Sequence, residues 1–227
     1  MINKDNPRRS PPQSLAELRV RAEALESRSV AEVVKALGVS LPEDAKKAKG
    51  YVGQLAEAAL GADPRAFDGP DFPALGVELK TIPLRPDGTP AESTFCCSIT
   101  METADRQRWE SSRLRRRLQC VLWLPVEASS VAALPDRRFG KCVLWQPSES
   151  ELALLEADWH DLIGAIGAGA GPSAHEGKVL QVRPKAASSR ERVVAPSESG
   201  VKPALPLGFY LRTSFTRRIL DGRSFDG

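Results

Sequence analysis

Hydrophobic and polar positions along the chain change period several times, and each change marks an element. Helices are predicted behind Ser14 with Glu17 and behind Ser29 with Glu32, where a hydroxyl and a carboxylate three residues on form capping boxes. Gly38 closes the second helix, and a third covers 52–60 and ends at Gly61. Apolar and β-branched stretches then predict strands near 76–82, 94–99, 121–126 and 142–146. A long amphipathic helix follows, opened by Ser148 with Glu151. Leu152, Leu155, Trp159, Leu162, Ile163 and Ile166 recur along one of its faces as a core stripe. The glycines of 164–171 come after a helix, whereas a dinucleotide loop needs a strand before it, so they read as a flexible connector. Strand signals return at 178–182 and 209–212, and the Ser-, Pro- and Ala-rich stretch 186–206 reads as a long mobile loop. The fold class is mixed α/β.

At 227 residues, with 41% hydrophobic and 27% charged side chains, the chain has an ordinary globular composition. No run approaches the ~20 apolar residues of a membrane span, and the start MINKDNPRRSPPQS has no secretory pattern, so a cytoplasmic protein is expected. Cys96, Cys97, Cys120 and Cys142 form no C-x-x-C pair and read as small buried residues, with adjacent Cys96 and Cys97 expected on opposite strand faces. Only His160 and His175 are present. A thiolate–imidazole zinc site and a Ser-His-Asp triad are therefore poorly supported.

The net charge of +3 hides segregation. Residues 178–227 carry ten basic and four acidic side chains, whereas 51–100 carry three basic and seven acidic. Basic surfaces flanking an acidic centre fit this pattern better than indiscriminate polyanion binding. Arg113, Arg115, Arg116 and Arg117 form one basic cluster, for which a solvated helix face is the plain alternative.

The acidic centre is concentrated at Pro70-Asp71-Phe72-Pro73-Ala74-Leu75-Gly76-Val77-Glu78-Leu79-Lys80. Strand alternation puts Glu78 and Lys80 on one face, and Pro73 with Gly76 permits a turn that returns Asp71 toward them. Two carboxylates and a lysine in a small volume suit Mg²⁺, which binds a few carboxylates plus water and substrate phosphate. On this spacing alone the alternative is a lysine–carboxylate pair on a sheet face, with Asp71 a turn residue.

Pro70-Asp71, Glu78 and Lys80 resemble the PD-(D/E)xK nuclease motif, and the longer segment DFPALGVELKTIPL resembles the MutH family of DNA mismatch-repair endonucleases. LAEAALG, WESSRLRRRLQCVLWLPVE, VLQVRPKA and LPLGFYLRTSF match that family in order, from near Leu15 to near Phe215. The resemblance implies a restriction-endonuclease-like core, a central mixed sheet flanked by helices in two lobes around a DNA cleft. It implies one endonuclease domain over 14–227 behind a flexible 1–13. The activity implied is Mg²⁺-dependent nicking of the unmethylated strand at hemimethylated GATC, 5′ to G, by a monomer that MutL activates after MutS detects a mismatch. Unmethylated GATC is also an expected substrate; Mn²⁺ is an alternative cofactor, and Ca²⁺ is expected to bind without supporting cleavage.

Carried over by position, Asp71 and Glu78 hold metal, Lys80 assists the attacking water, and Glu57 is a further active-site carboxylate. Arg183, Lys185 and Tyr210 contact the recognition site, Tyr210 sensing adenine methylation, with Lys49 and Phe95 as groove or backbone contacts. Taken alone, Glu57 is a polar helix position, Phe95 and Tyr210 are strand-core candidates and Lys49 is a solvated lysine. Arg117 stands where the family often has lysine; its planar fork suits phosphate contact but not a point-charge role. The alternatives are a GATC restriction enzyme that cuts both strands, a DNA-binding module that has lost cleavage, and a structural protein with no GATC preference.

Overall fold

Helix starts follow the side-chain chemistry closely. Ser29 and Glu32 bond each other's backbone N–H at 3.2 and 2.6 Å at the head of α2 (Val30–Leu37). Ser148 and Glu151 do the same at the head of α5 (Glu149–Gly167). At α1 (Leu15–Glu23) the Ser14 hydroxyl accepts from Glu17 N–H, but the Glu17 carboxylate takes the Gln13 N–H instead, so the predicted box is only half formed there. The computed structural model describes residues 7–42, 50–66, 68–169, 176–185, 192–197 and 200–223. They divide into two units, one comprising the residues up to Glu92 with Gln119–Gln146, the other Ser93–Leu118 with Pro147 onward.

In the first unit α1, α2 and α3 (Tyr51–Leu60) cover a three-stranded mixed sheet. β1 (Glu78–Leu84) runs parallel to β3 (Val121–Glu127), which pairs antiparallel with β4 (Val143–Trp145). β3 is the central strand, buried from Val121 to Val126, as its continuous apolar sequence requires. Leu18, Val33, Leu55 and Leu60 from the helices pack with Leu79, Leu122 and Leu124 in one core. Residues 7–13, expected to be loose, run against α3: Arg9 N–H donates to Ala58 O, and Arg21 donates to Ser10 O. Gly61 ends α3 at φ +83, where a Cβ would meet Ser10 O at 2.3 Å.

The second unit is built on an antiparallel sheet in which β8 (Leu207–Leu211) lies between β2 (Thr94–Ser98) and β5 (Leu180–Pro184). α5 buries Leu155, Trp159, Leu162, Ile163 and Ile166 of the predicted stripe, with Leu152 half-buried at its start. α4 (Arg113–Leu118) and α6 (Thr213–Leu220) complete its helices.

Three expectations change. Cys96 and Cys97 do not alternate; a register shift between Phe95 and Cys97 inserts an extra residue and lets both thiols be buried. The 164–171 stretch is not all connector, because α5 continues through Gly167, where a Cβ would meet the Asp105 backbone at 3.5 Å. Within 186–206, β6 (Val193–Ser197) and β7 (Gly200–Ala204) form a hairpin rather than a bare loop. The valines favour extended backbone, and Pro196 and Pro203 are tolerated because each strand pairs on only one edge among the described residues. The cysteines carry no disulfide, and His160 is an exposed α5 residue 3.8 Å from Glu156; His175 lies outside the described residues.

Candidate functional site

Glu78 opens β1, and its N–H donates to the Cys120 carbonyl at 2.9 Å, fixing the strand's first residue against the start of β3. Just upstream, Phe72 N–H donates to Val77 O at 2.9 Å and Val77 N–H returns to Phe72 O at 3.3 Å, closing a tight loop. Gly76 completes it at φ +66, a left-handed conformation that a Cβ disfavours. The loop lays Asp71 alongside β1, where Asp71 Oδ2 accepts from Leu79 N–H at 2.8 Å. Asp63 N–H donates to the Asp71 carbonyl, also at 2.8 Å, so this residue is held by backbone on two sides. The turn expected from Pro73 and Gly76 is therefore present.

Glu78 and Lys80 share a face of β1, with Lys80 Nζ donating to Glu78 Oε1 at 2.5 Å. Their side chains are 1% and 12% exposed, so each charge depends on the other for compensation. Glu57 is half-buried on α3, one turn beyond Gly53, where α3 meets β1 (a Cβ at Gly53 would sit 3.4 Å from Thr81 Oγ1). Loss of water pushes the Glu57 carboxyl up to about 7; Asp71 adds to the shift, Arg8 and Lys80 oppose it, and Glu78 adds a little more. Asp71, Glu78, Lys80 and Glu57 are thus brought within electrostatic range of one another.

Asp71 and Glu78 offer hard oxygen donors, and the charge that raises Glu57 is negative potential of the kind a divalent cation neutralises. Among the described residues no three His, Cys, Asp or Glu form a complete metal cage. Two hard carboxylate donors are the kind of ligand with which Mg²⁺ keeps several waters and shares its coordination with a phosphate.

The second unit carries a different cluster. Phe95 on β2 lies opposite Tyr210 on β8, and Tyr210 lies opposite Gln181 on β5, so the three form one row across the sheet. The Phe95 and Tyr210 rings meet edge to face, with centroids 5.3 Å apart. Lys185 Nζ sits 3.8 Å from the Phe95 centroid and 3.2 Å from Ser98 Oγ. Arg183 donates to Ser93 Oγ at 3.0 Å, and its Cζ is 5.8 Å from the Tyr210 centroid. Cation–π contact and hydroxyl partners hold both cations over one aromatic face while Arg183 and Lys185 stay exposed. Four sequence-predicted residues, Phe95, Arg183, Lys185 and Tyr210, therefore converge. Arg117 lies half-buried on α4, which packs on β2, and Lys49 lies outside the described residues.

Several residues of these clusters were not singled out from sequence. Gly208 is required by the aromatic row, since a Cβ there would lie 2.8 Å from Phe95 Cε2 and 3.2 Å from Cys97 O. A glycine inside a strand pattern is the signal that marks such an approach. Asp158 is buried in α5 and accepts from the backbone N–H groups of Lys178, Val179 and Leu180 at 2.9, 2.6 and 2.8 Å, anchoring the start of β5. Its signal was an acid beside the apolar stripe of a helix. Arg8 had none, because its approach to Glu57 depends on how 7–13 packs. A separate groove of about 430 Å³, lined by Leu84, Val126 and Phe139 among others, contains none of the candidate residues. Its Arg85 and Arg138 are committed to backbone carbonyls.

Comparison with known proteins finds relatives along nearly the whole chain. The family described as "DNA mismatch repair enzyme MutH" matches residues 60–158, which include Asp71, Glu78, Lys80, Phe95 and Arg117. A "DNA mismatch repair protein MutH" of Shewanella sp. (strain MR-7) is 41% identical over 214 residues, covering 93% of this chain and 96% of the relative. The proteins of the same name from Shewanella baltica (strain OS155) and Shewanella oneidensis (strain MR-1) are 42% and 41% identical over the same lengths. With identity of that order along nearly the whole of both chains, this chain belongs to the MutH family of DNA mismatch-repair enzymes.

Proposed function

We propose that this chain is a Mg²⁺-dependent DNA endonuclease that nicks the unmethylated strand at hemimethylated GATC, 5′ to G, during mismatch repair. The observation that carries this is Asp71 folded back onto β1 beside the buried Glu78–Lys80 pair, in a member of the MutH family. Asp71 and Glu78 would hold the cation, which when bound supplies positive charge against the charge developing on the phosphoryl oxygens. Lys80, its ammonium fixed by Glu78, orients water toward phosphorus; a P–O bond forms, one ester P–O bond breaks, the water's proton passes to solvent and the departing alkoxide takes a proton from solvent. Glu57 adds negative charge near the same place.

Sequence reading is assigned to the aromatic face of the second unit. Arg183 suits guanine O6 and N7, a bidentate contact worth about 1–3 kcal/mol of discrimination. Lys185 suits phosphate or a base acceptor, and Tyr210 suits a position beside adenine N6. Activation by MutL downstream of MutS, a monomeric state and a cytoplasmic setting belong to the same reading. No described helix is long and apolar enough to cross a membrane.

The test is nicking of a plasmid carrying one hemimethylated GATC, in Mg²⁺, with and without MutL, beside an Asp71→Asn control. Nicking confined to the unmethylated strand, stimulated by MutL and absent in the control is the expected result. Cutting of both strands would replace this reading with a restriction enzyme. Selective GATC binding without cleavage would replace it with a binding module.

A further inference from the structure

Of the residues in the second unit's aromatic row, Gln181 is the one to which no role has been given. It pairs in register with Tyr210, and on antiparallel neighbours such side chains project together from one face, their Cβ atoms about 5 Å apart. Arg183, two residues on, projects from the same face, about 7 Å further along the strand. Arg183 and Lys185 are oriented by Ser93 and Ser98, but the Gln181 carboxamide, half-buried beside Tyr210, has no hydrogen-bond partner among the described residues. A carboxamide held in an aromatic row with both donor and acceptor unused is suited to an incoming partner that offers one of each.

We propose that Gln181 is a specificity-determining residue that reads the adenine of the recognition site through its major-groove edge. This rests on the DNA-reading role assigned above to the same face. Adenine presents there an N7 acceptor beside an N6 donor, the complement of a glutamine amide; guanine presents two acceptors and matches Arg183 instead. The two side chains thus divide adjacent purines between them. Gln181 also reads methylation. In a paired adenine the N6–H facing thymine is committed, so a methyl on N6 occupies the position of the hydrogen that Gln181 accepts. Methylation then removes that bond and puts a methyl against the carboxamide, while Tyr210 bounds the same space from the neighbouring strand.

The test compares binding and nicking of two hemimethylated GATC duplexes by the full chain. One carries normal adenine in the unmethylated strand, and the other carries 7-deazaadenine, which lacks N7 but keeps the N6 amine. Wild type should bind the deaza duplex about tenfold more weakly. Gln181→Leu, of similar size on a half-exposed position, should bind the normal duplex about as weakly and show no further loss on the deaza duplex. Wild type indifferent to the deaza substitution, or Gln181→Leu still losing tenfold on it, would overturn the inference; the wild-type comparison stands whether or not the variant folds. A GATC preference over a scrambled site in either of those cases would leave the broader function intact. Absence of any GATC preference in wild type would instead remove that function, and this inference with it.

Discussion

Glu57→Gln is the perturbation for which the structure gives the clearest number. Glu57 moves from an ordinary carboxylate value of 4.5 to about 7, chiefly because burial shields it from water and secondarily because Asp71 lies near. At 1.36 kcal/mol per unit the full shift amounts to about 3 kcal/mol, and the partial exposure of the side chain reduces this to about 2 kcal/mol. The folded pKa of an acid is raised, so between 4.5 and 7 the folded chain holds more protons than the unfolded one, and stability falls as pH rises through that window. Glutamine has the shape of the protonated acid and removes the cost above the window while changing little below it. In EDTA, Glu57→Gln should therefore melt about 4–8 °C above wild type at pH 8, at roughly 2–4 °C per kcal/mol for a chain of this size, with only a small gap at pH 4.5–5. Adding Asp71→Asn to both proteins should shrink the pH 8 gap, because it removes the second cause of the shift. Equal gaps at both pH values, or a destabilised variant at pH 8, would refute the electrostatic account of this site.

Three further outcomes follow from named contacts. Asp71→Asn keeps an oxygen for the Leu79 N–H and should melt near wild type while losing nicking; Asp71→Ala should lose about 1–2 kcal/mol as well, a difference that thermal unfolding reads directly. Asp158→Ala leaves three backbone donors without their acceptor and should cost more than ~3 kcal/mol, with early amide exchange at Val179 and Leu180; protection unchanged at those amides would show that α5 does not anchor β5. Gly208→Ala should displace the Phe95 ring, cost about 1–3 kcal/mol and weaken DNA binding, and binding equal to wild type in a gel-shift titration would remove Phe95 from the reading face.

How much of this was legible in the sequence differs between the two clusters for a physical reason. Asp71, Glu78 and Lys80 lie within ten residues, and strand alternation plus a Pro/Gly turn is enough to bring them together. Tyr210, Phe95 and Arg183 come from three strands far apart in sequence; alternation says which way each points, but only the β2–β8–β5 order makes them neighbours. Their grouping was reached through family resemblance, not through spacing. The extra residue at Cys96 and the β6–β7 hairpin were missed because both depend on pairing, which local propensity does not carry. The half-formed box at Ser14 shows the same limit at short range: the signature fixes the hydroxyl bond, but Glu17 can reach Gln13 as easily as Ser14.

Both units fix a functional strand with the same interaction, an aspartate accepting from strand N–H groups, and the difference between the two cases lies in burial. Asp158 is 4% exposed and spends its carboxylate on three donors at the head of β5; a buried anion with that many partners is scaffold, and its chemistry is used up in holding Arg183 and Lys185 where they are. Asp71 is half-buried, and its Oδ2 accepts from the Leu79 N–H, a bond that sets the direction of the side chain. Substitution therefore separates charge from scaffold at Asp71, where asparagine can keep the hydrogen bond. It cannot do so at Asp158, where an amide offers one acceptor oxygen to three N–H groups that use both carboxylate oxygens. A charge-only substitution at Asp71 therefore tests the proposed metal role, while any substitution at Asp158 also tests the anchoring of β5, which carries the proposed DNA-reading residues.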